Sequence, residues 1–224
     1  MAPSGHYRLW VNGIHHGDIS LNNLMYAISP TGEPKRVLND YDLAFWNEQQ
    51  TENHDRIGTI PFMALELVEN GFDDQVSRLY RHDAESLIWV LVYITVITVE
   101  YENRSIKISR PVGIDAWFRR DPVAHVLSKQ ALSYNYGTRL EVTEPHKQYT
   151  TIIKHLAKYW IQLFSSSTPR SGPEADDPKR DLESFIRCVE EALSSEEAVE
   201  AEERVEVLKE FTKVKVLLSR VLDP

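Results

Sequence analysis

The sequence of 224 residues predicts a mainly α fold with one small β-hairpin, and three observations carry that prediction. From residue 62 onward, apolar side chains recur at helical spacing in Phe62–Glu69, His82–Glu100, Asp121–Ser133 and His146–Phe164. Earlier, the short apolar runs Leu24–Ala27 and Arg36–Leu38 flank Ser29-Pro30-Thr31-Gly32-Glu33-Pro34, a strong turn signal that reads as a hairpin. Finally, Ser86–Val99 is a run of fourteen residues without a charge. A helix apolar on every side is buried on every side, so this run marks the centre of the core. It is too short to span a bilayer comfortably.

The elements follow in order. Met1–Gly13 carries Tyr7, Leu9 and Trp10 with no capping residue ahead of them, and reads as the tail of a helix. The hairpin comes next, with Asp40 just beyond its second strand. Residues 45–57 are polar and aperiodic, which predicts a mobile loop. The helical stretches then make up the rest of a first unit, residues 1–168. Residues 169–178, within the Ser-, Pro- and Gly-rich stretch 165–178, form a predicted linker. Residues 179–224 form an acidic helical segment, with Leu182, Phe185, Ile186, Val189 and Leu193 on one helical face and Val205, Leu208, Phe211, Val214, Leu218 and Val221 on another.

Composition narrows the class of partner. Residues 174–224 hold fifteen acidic and eight basic side chains, which is −7 of the formal net charge of −9. That balance makes generic attraction to nucleic acid or to anionic lipid unexpected. The acidic stretch is best read as a solvated pair of helices packing one apolar face. The single cysteine, Cys188, allows no internal disulfide and suits a reducing compartment. Met1–Trp10 lacks the apolar stretch of a secretory signal, so an intracellular location is expected, cytoplasmic or nuclear. The other histidines show no ligand spacing, and no zinc site is expected.

The chemistry lies near the start. Residues 15–23 read His-His-Gly-Asp-Ile-Ser-Leu-Asn-Asn, and Asp40-Tyr41-Asp42 follows. Phosphoryl transfer from ATP asks for a carboxylate at the attacking hydroxyl, and for an amide oxygen and a second carboxylate to hold magnesium on the phosphates. Asp18, Asn23 and Asp40 supply that set in that order. Asp-x4-Asn alone is a weak signal, because acidic and amide residues abound in loops.

Gly58-Thr59-Ile60-Pro61-Phe62-Met63-Ala64-Leu65-Glu66 adds to it. This segment resembles the substrate-binding loop and Ala-Pro-Glu motif that close the activation segment of protein kinases, with Leu65 in place of the proline. His-Gly-Asp-Ile-Ser-x-x-Asn, Asp-Tyr-Asp-Leu-Ala, Gly-Thr-x-Pro-Phe-Met-Ala-x-Glu and the later Trp117…Lys129 are together similar to the fungal-type protein kinase family, over about residues 4–165. The resemblance implies a protein-kinase-like lower lobe that transfers the γ-phosphate of ATP to a protein serine or threonine hydroxyl. It implies Asp18 as the base, Asn23 and Asp40 on Mg2+ and ATP, and Asp83 hydrogen-bonded to amides of the catalytic loop. Glu66 is implied as half of a buried ion pair with a later arginine, for which Arg180 is a candidate. His16 is expected to pack and hydrogen-bond beneath the magnesium loop.

Several positions depart from that pattern. Gly17 stands where an arginine is usual, which removes a guanidinium that would pair with a phosphorylated loop. Ser20 stands where many kinases place a lysine, and Asp42 replaces a glycine. Only seventeen residues precede Asp18, so the Gly-rich loop, lysine and glutamate of an upper lobe are not among them. Little or no activity is therefore expected of these residues alone, with apolar surface exposed beside the site.

Alternatives stay open at each residue. Asp18 is a base or a structural loop carboxylate, and Asn22 competes with Asn23 if the register slips. Thr51 and Thr59 are candidate phosphorylation sites, although Thr59 suits a structural hydroxyl. For the chain, His-Gly-Asp-x4-Asn also looks like aminoglycoside and choline phosphotransferases. A non-catalytic scaffold lobe and an incomplete gene product are the remaining readings.

Overall fold

The computed structural model describes residues 3–30, 34–42, 44–46, 58–69, 76, 78–102, 105–109, 112–119, 121–134, 153, 155–157 and 176–194. Among these, helices predominate and the strands form three two-stranded antiparallel sheets. Helix α1 (Pro3–Val11) leads into β1 (Ile14–His15), and a 3-10 turn at Leu21–Asn23 precedes β2 (Leu24–Ile28) and β3 (Pro34–Leu38). Strand β4 (Phe45–Trp46) pairs back onto β1, with Ile14 opposite Trp46 and His15 opposite Phe45. A 3-10 turn at Ile60–Phe62 then leads to α2 (Leu65–Glu69) and α3 (Tyr80–Val96). A second hairpin, β5 (Thr98–Glu102) and β6 (Ser105–Ser109), is followed by α4 (Val112–Asp115), α5 (Pro122–Tyr134) and α6 (Pro178–Ser194).

The hairpin that the turn signal predicts is present as β2–β3, with Leu24 opposite Leu38 and Met25 opposite Val37. Successive residues of a strand point to opposite faces, so the neighbours Val37 and Leu38 differ in exposure. Leu38 is buried, whereas Met25, Val37 and Ile28 are exposed. Apolar surface beside the site was expected, and these three residues provide it.

The uncharged run is the core. In α3, Ile88, Trp89, Val90, Val92, Tyr93 and Val96 are almost wholly buried, and they pack with Phe62, Leu65, Ile114, Trp117, Leu132, Ile153 and Ala157. The helix predicted over 62–69 begins at Leu65, α3 begins at Tyr80, and the end of α3 also differs from the sequence prediction. The helical spacing over 82–100 continues past the point where α3 stops, because Ile97 takes an extended backbone (φ −81°, ψ 144°) and Thr98 begins β5. The closely spaced β-branched residues Thr95, Val96, Ile97, Thr98 and Val99 explain the switch: they lose χ1 freedom in a helix and fit a pleated strand.

Helix α5 matches Asp121–Ser133 to within a residue at each end, and Asp121 caps it by accepting a hydrogen bond from Ala124 N (3.1 Å). Within the predicted helix 146–164, residues 153 and 155–157 are helical. The predicted mobile loop 45–57 is corrected at its start, where Phe45 and Trp46 form β4 on β1; residues 47–57, the remainder of the stretch 146–164 and the periodic segment 205–221 lie outside the described residues.

Helix α6 packs against α1 and α3, so the start of the acidic segment is joined to the N-terminal half of the chain. Leu182 and Ile186 meet Trp10 and Tyr80 in a small apolar cluster. Just ahead of α6, inside the predicted linker, Asp176 accepts hydrogen bonds from Trp10 Nε1 (2.7 Å) and from Tyr80 N (2.8 Å), the first residue of α3. An indole N–H and an N-terminal helix amide both need acceptors once water is excluded, and this one carboxylate serves both.

Asp176→Ala leaves those two donors unsatisfied, and urea unfolding should report a loss of about 1–3 kcal/mol. A variant as stable as the parent would show that water replaces the carboxylate at no cost.

Candidate active site

The loop from His15 to Asn23 is built outward from α3. Asp83, on the first turn of α3, has a fully buried carboxylate that accepts from His6 Nε2 at 2.9 Å and from Gly17 N at 3.3 Å. Arg78 Nε lies 3.7 Å from its other oxygen. Burial alone would raise this carboxyl, but His6, Arg78 and the Gly17 amide outweigh it and hold the pKa at about 2. The predicted bond from Asp83 to the loop carrying Asp18 is therefore present, at Gly17. That residue has φ 77°, a left-handed conformation that glycine adopts without a Cβ clash. Its backbone is what the position uses, which accounts for a glycine where an arginine was expected.

His16 does what the sequence suggested. Its Nε2 donates to the carbonyl of Asn39 (2.9 Å) while Nδ1 accepts from Asp18 N (3.2 Å). Its ring meets Tyr41 edge-on at 4.7 Å. His15, the preceding residue, stacks flat on Trp10 at 3.8 Å between ring centroids. Burial lowers the pKa of His15, against the pull of Asp176 and Asp83.

The three candidate residues lie along connected backbone. Asp18 is half-buried, and both of its carboxylate oxygens are engaged: Oδ1 accepts from Thr59 N (2.7 Å) and Oδ2 from Asn23 Nδ2 (3.1 Å). Asn23 Nδ2 also donates to the Asp18 carbonyl (2.9 Å), which fixes Asn23 rather than the exposed Asn22 as the amide turned onto the aspartate. Asn39 N donates to the Asn23 carbonyl at 2.9 Å, and Asp40 follows immediately, exposed and with φ 64°. A left-handed aspartate is uncommon, and it turns the chain sharply at the end of β3. The structure thus brings Asp18 and Asn23 into direct contact and sets Asp40 one residue from their backbone partner.

The segment from Gly58 to Glu66 lies against this loop. Gly58 has φ 134°, and a Cβ there would come within 3.3 Å of the Gly17 carbonyl and 2.9 Å of Met63 Cε. Glu66 forms the expected ion pair, but not with Arg180. Its Oε2 accepts from Arg81 Nη2 (2.5 Å) and His82 Nε2 (2.8 Å), both on the first turn of α3, and together these lower its pKa against the effect of burial. Arg180 instead binds its neighbour Asp181 at 3.1 Å and lies 3.9 Å from Asp177. Both acids are close in sequence, one adjacent and one three residues away, and these local acids capture that guanidinium.

Sequence reasoning missed His6, Arg78 and the Thr59 amide. His6 and the Thr59 amide contribute through contacts between distant parts of the chain, and Arg78 through a local one outside the motif, none of which motif spacing encodes. Thr51 lies outside the described residues.

Comparison with known families agrees with the motifs. Residues 2–95 match the fungal protein kinase family, the family whose wording the segments resemble. The matched span runs from α1 through α3 and so contains all three candidate residues and the segment 58–66. No curated protein and no solved structure matches the chain. Among the described residues, no helix is long and apolar enough to cross a membrane.

Gly58→Ala tests the close approach of the two loops. A methyl group at a positive φ, facing the Gly17 carbonyl, should cost about 1–3 kcal/mol in chemical denaturation. An unchanged stability would mean that the loops separate without cost.

Proposed function

We propose that the chain is the lower lobe of a kinase-type phosphotransferase that passes the γ-phosphate of ATP to a serine or threonine hydroxyl of an intracellular protein. The observation that carries this is the engagement of Asp18 by Thr59 N on one oxygen and Asn23 Nδ2 on the other. Each carboxylate oxygen has two lone pairs, so a held Asp18 keeps acceptor capacity for a substrate hydroxyl while its direction is fixed. The Thr59 bond also ties this acceptor to the start of the Gly58–Glu66 segment, where a peptide substrate would lie. That linkage favours a protein substrate over a small amine-alcohol.

The donor set fits magnesium. With Nδ2 of Asn23 committed to Asp18, the amide oxygen is the atom left for a cation, and the exposed Asp40 carboxylate is the second hard oxygen ligand. Bound there, the ion would neutralise charge on the phosphates of ATP. The residues of the chain do the rest: Asp18 orients the hydroxyl and takes up its proton, Asn23 holds Asp18, and His16 holds Asn39 and with it the approach to Asp40.

Thermal melting tests the reading. Millimolar Mg-ATP should raise the melting temperature, with a stabilisation of about 1.4 kcal/mol at ten times Kd, and both EDTA and Asp40→Ala should abolish the rise. No rise, or an equal rise in Asp40→Ala, supports a non-catalytic scaffold instead. Transfer from labelled ATP to amine-alcohols but not to peptides would favour the small-molecule reading.

A further inference from the structure

Two buried side chains of opposite charge reach from the core to the backbone of the Gly58–Glu66 segment. Lys129, on α5, is wholly buried, and its Nζ donates to the carbonyl of Met63 at 2.6 Å. Glu85, on α3, accepts from Leu65 N at 2.8 Å with Oε1. The residue between those two anchor points, Ala64, is completely buried. A lysine acts on a carbonyl and a glutamate on an amide, so the backbone is held on both sides of a single residue.

The lysine is itself held in a cage. Its Nζ lies 4.7 Å from the ring centre of Trp89 and 5.2 Å from that of Trp117, and the two indoles meet edge-to-face at 5.4 Å. Indole faces attract an ammonium strongly when water is excluded. Both indoles are fixed in turn: Trp89 Nε1 donates to the same Glu85 oxygen (3.0 Å), and Trp117 Nε1 donates to Ser128 Oγ (3.1 Å), which donates to the Gly113 carbonyl. Burial holds the Lys129 pKa well below the usual lysine range, with Glu85 pulling the other way. His125, fully buried one turn away, is pushed down to about 3 by burial and then by Lys129, so a second cation is disfavoured there.

With no exposed surface, Lys129 has no access to a reacting group. We infer that Lys129, gripped by Trp89 and Trp117, is the positioning residue for the peptide-binding loop and sets the affinity for the protein substrate. This rests on the proposed kinase reading of Gly58–Glu66. Each step on the path is a single contact: cage to ammonium, ammonium to Met63 carbonyl, and Met63 to the loop that touches Asp18 through Thr59.

The test uses the full chain, an immobilised library of serine- and threonine-containing peptides, and Lys129→Met, which keeps the length of the side chain and removes the donor. Peptide binding should weaken about tenfold, the value of one charge-assisted bond, while the Mg-ATP melting shift stays that of the parent. Amide hydrogen exchange at Met63–Leu65 should quicken, with Ile88–Val92 unchanged. Peptide affinity within twofold of the parent, or unchanged exchange at 63–65, overturns the inference. A parent that binds neither nucleotide nor peptide sinks the kinase reading, and the exchange measurement still decides whether Lys129 holds the loop. If Lys129→Met does not fold, Trp117→Phe, which weakens the cage alone, is read by the same exchange criterion.

Discussion

A carboxylate with no access to water organises this protein. Asp83 sits at the start of the central helix, where burial would favour its neutral form, and remains ionised because His6, Arg78 and the Gly17 amide surround it. Removing one partner of such a group leaves a buried charge uncompensated, at about 3–5 kcal/mol. Its partners come from α1, from the loop carrying Asp18 and from Arg78, two residues ahead of α3, so three stretches must meet for the charge to be tolerated. The loop carrying Asp18 is held in place as one consequence of that requirement.

The same device recurs along α3. Arg81 and His82 take the Glu66 carboxylate, and Glu85 takes the Leu65 amide. Positions 81 to 85 thus use about one helical turn to hold two segments: Asp83 faces the loop carrying Asp18, while its neighbours face the segment that follows Thr59. The apolar remainder of the helix, from Ile88 to Val96, supplies the burial that makes these polar contacts strong. Charge at the helix start and hydrocarbon beyond it divide the labour between geometry and stability. Asp176 adds a further tie, linking the segment ahead of α6 to Trp10 and Tyr80 and, through the stack of Trp10 on His15, to the edge of the site.

Local signals in the sequence led directly to some of this. The Ser-Pro-Thr-Gly-Glu-Pro turn and its flanking apolar runs specify β2–β3, and the fourteen uncharged residues specify the core of α3, since each pattern is confined to neighbouring residues. The contact between Asp18 and Asn23 was legible because the two share one short loop. The end of α3 was not, because Thr98 and Val99 suit a strand and also extend the apolar spacing of a helix. The partner of Glu66 was misplaced at Arg180 for another reason: an ion pair is decided by which cation lies nearest in space, and Arg81 and His82 were hidden in a motif read for Asp83 alone. Lys129 could be quoted from the sequence, but its role depends on two tryptophans that converge only in the folded chain.

The most direct test of Asp83 as the organising charge is the exchange rate of the Gly17 amide proton in Asp83→Asn, measured by nuclear magnetic resonance beside the exchange rates of Ile88–Val92. An asparagine keeps the shape and removes the charge. Gly17 and its neighbours from His15 to Asn23 should lose protection while the core of α3 keeps its own. Protection of Gly17 equal to that of the parent would contradict the account, because the loop would then be held by something other than that charge.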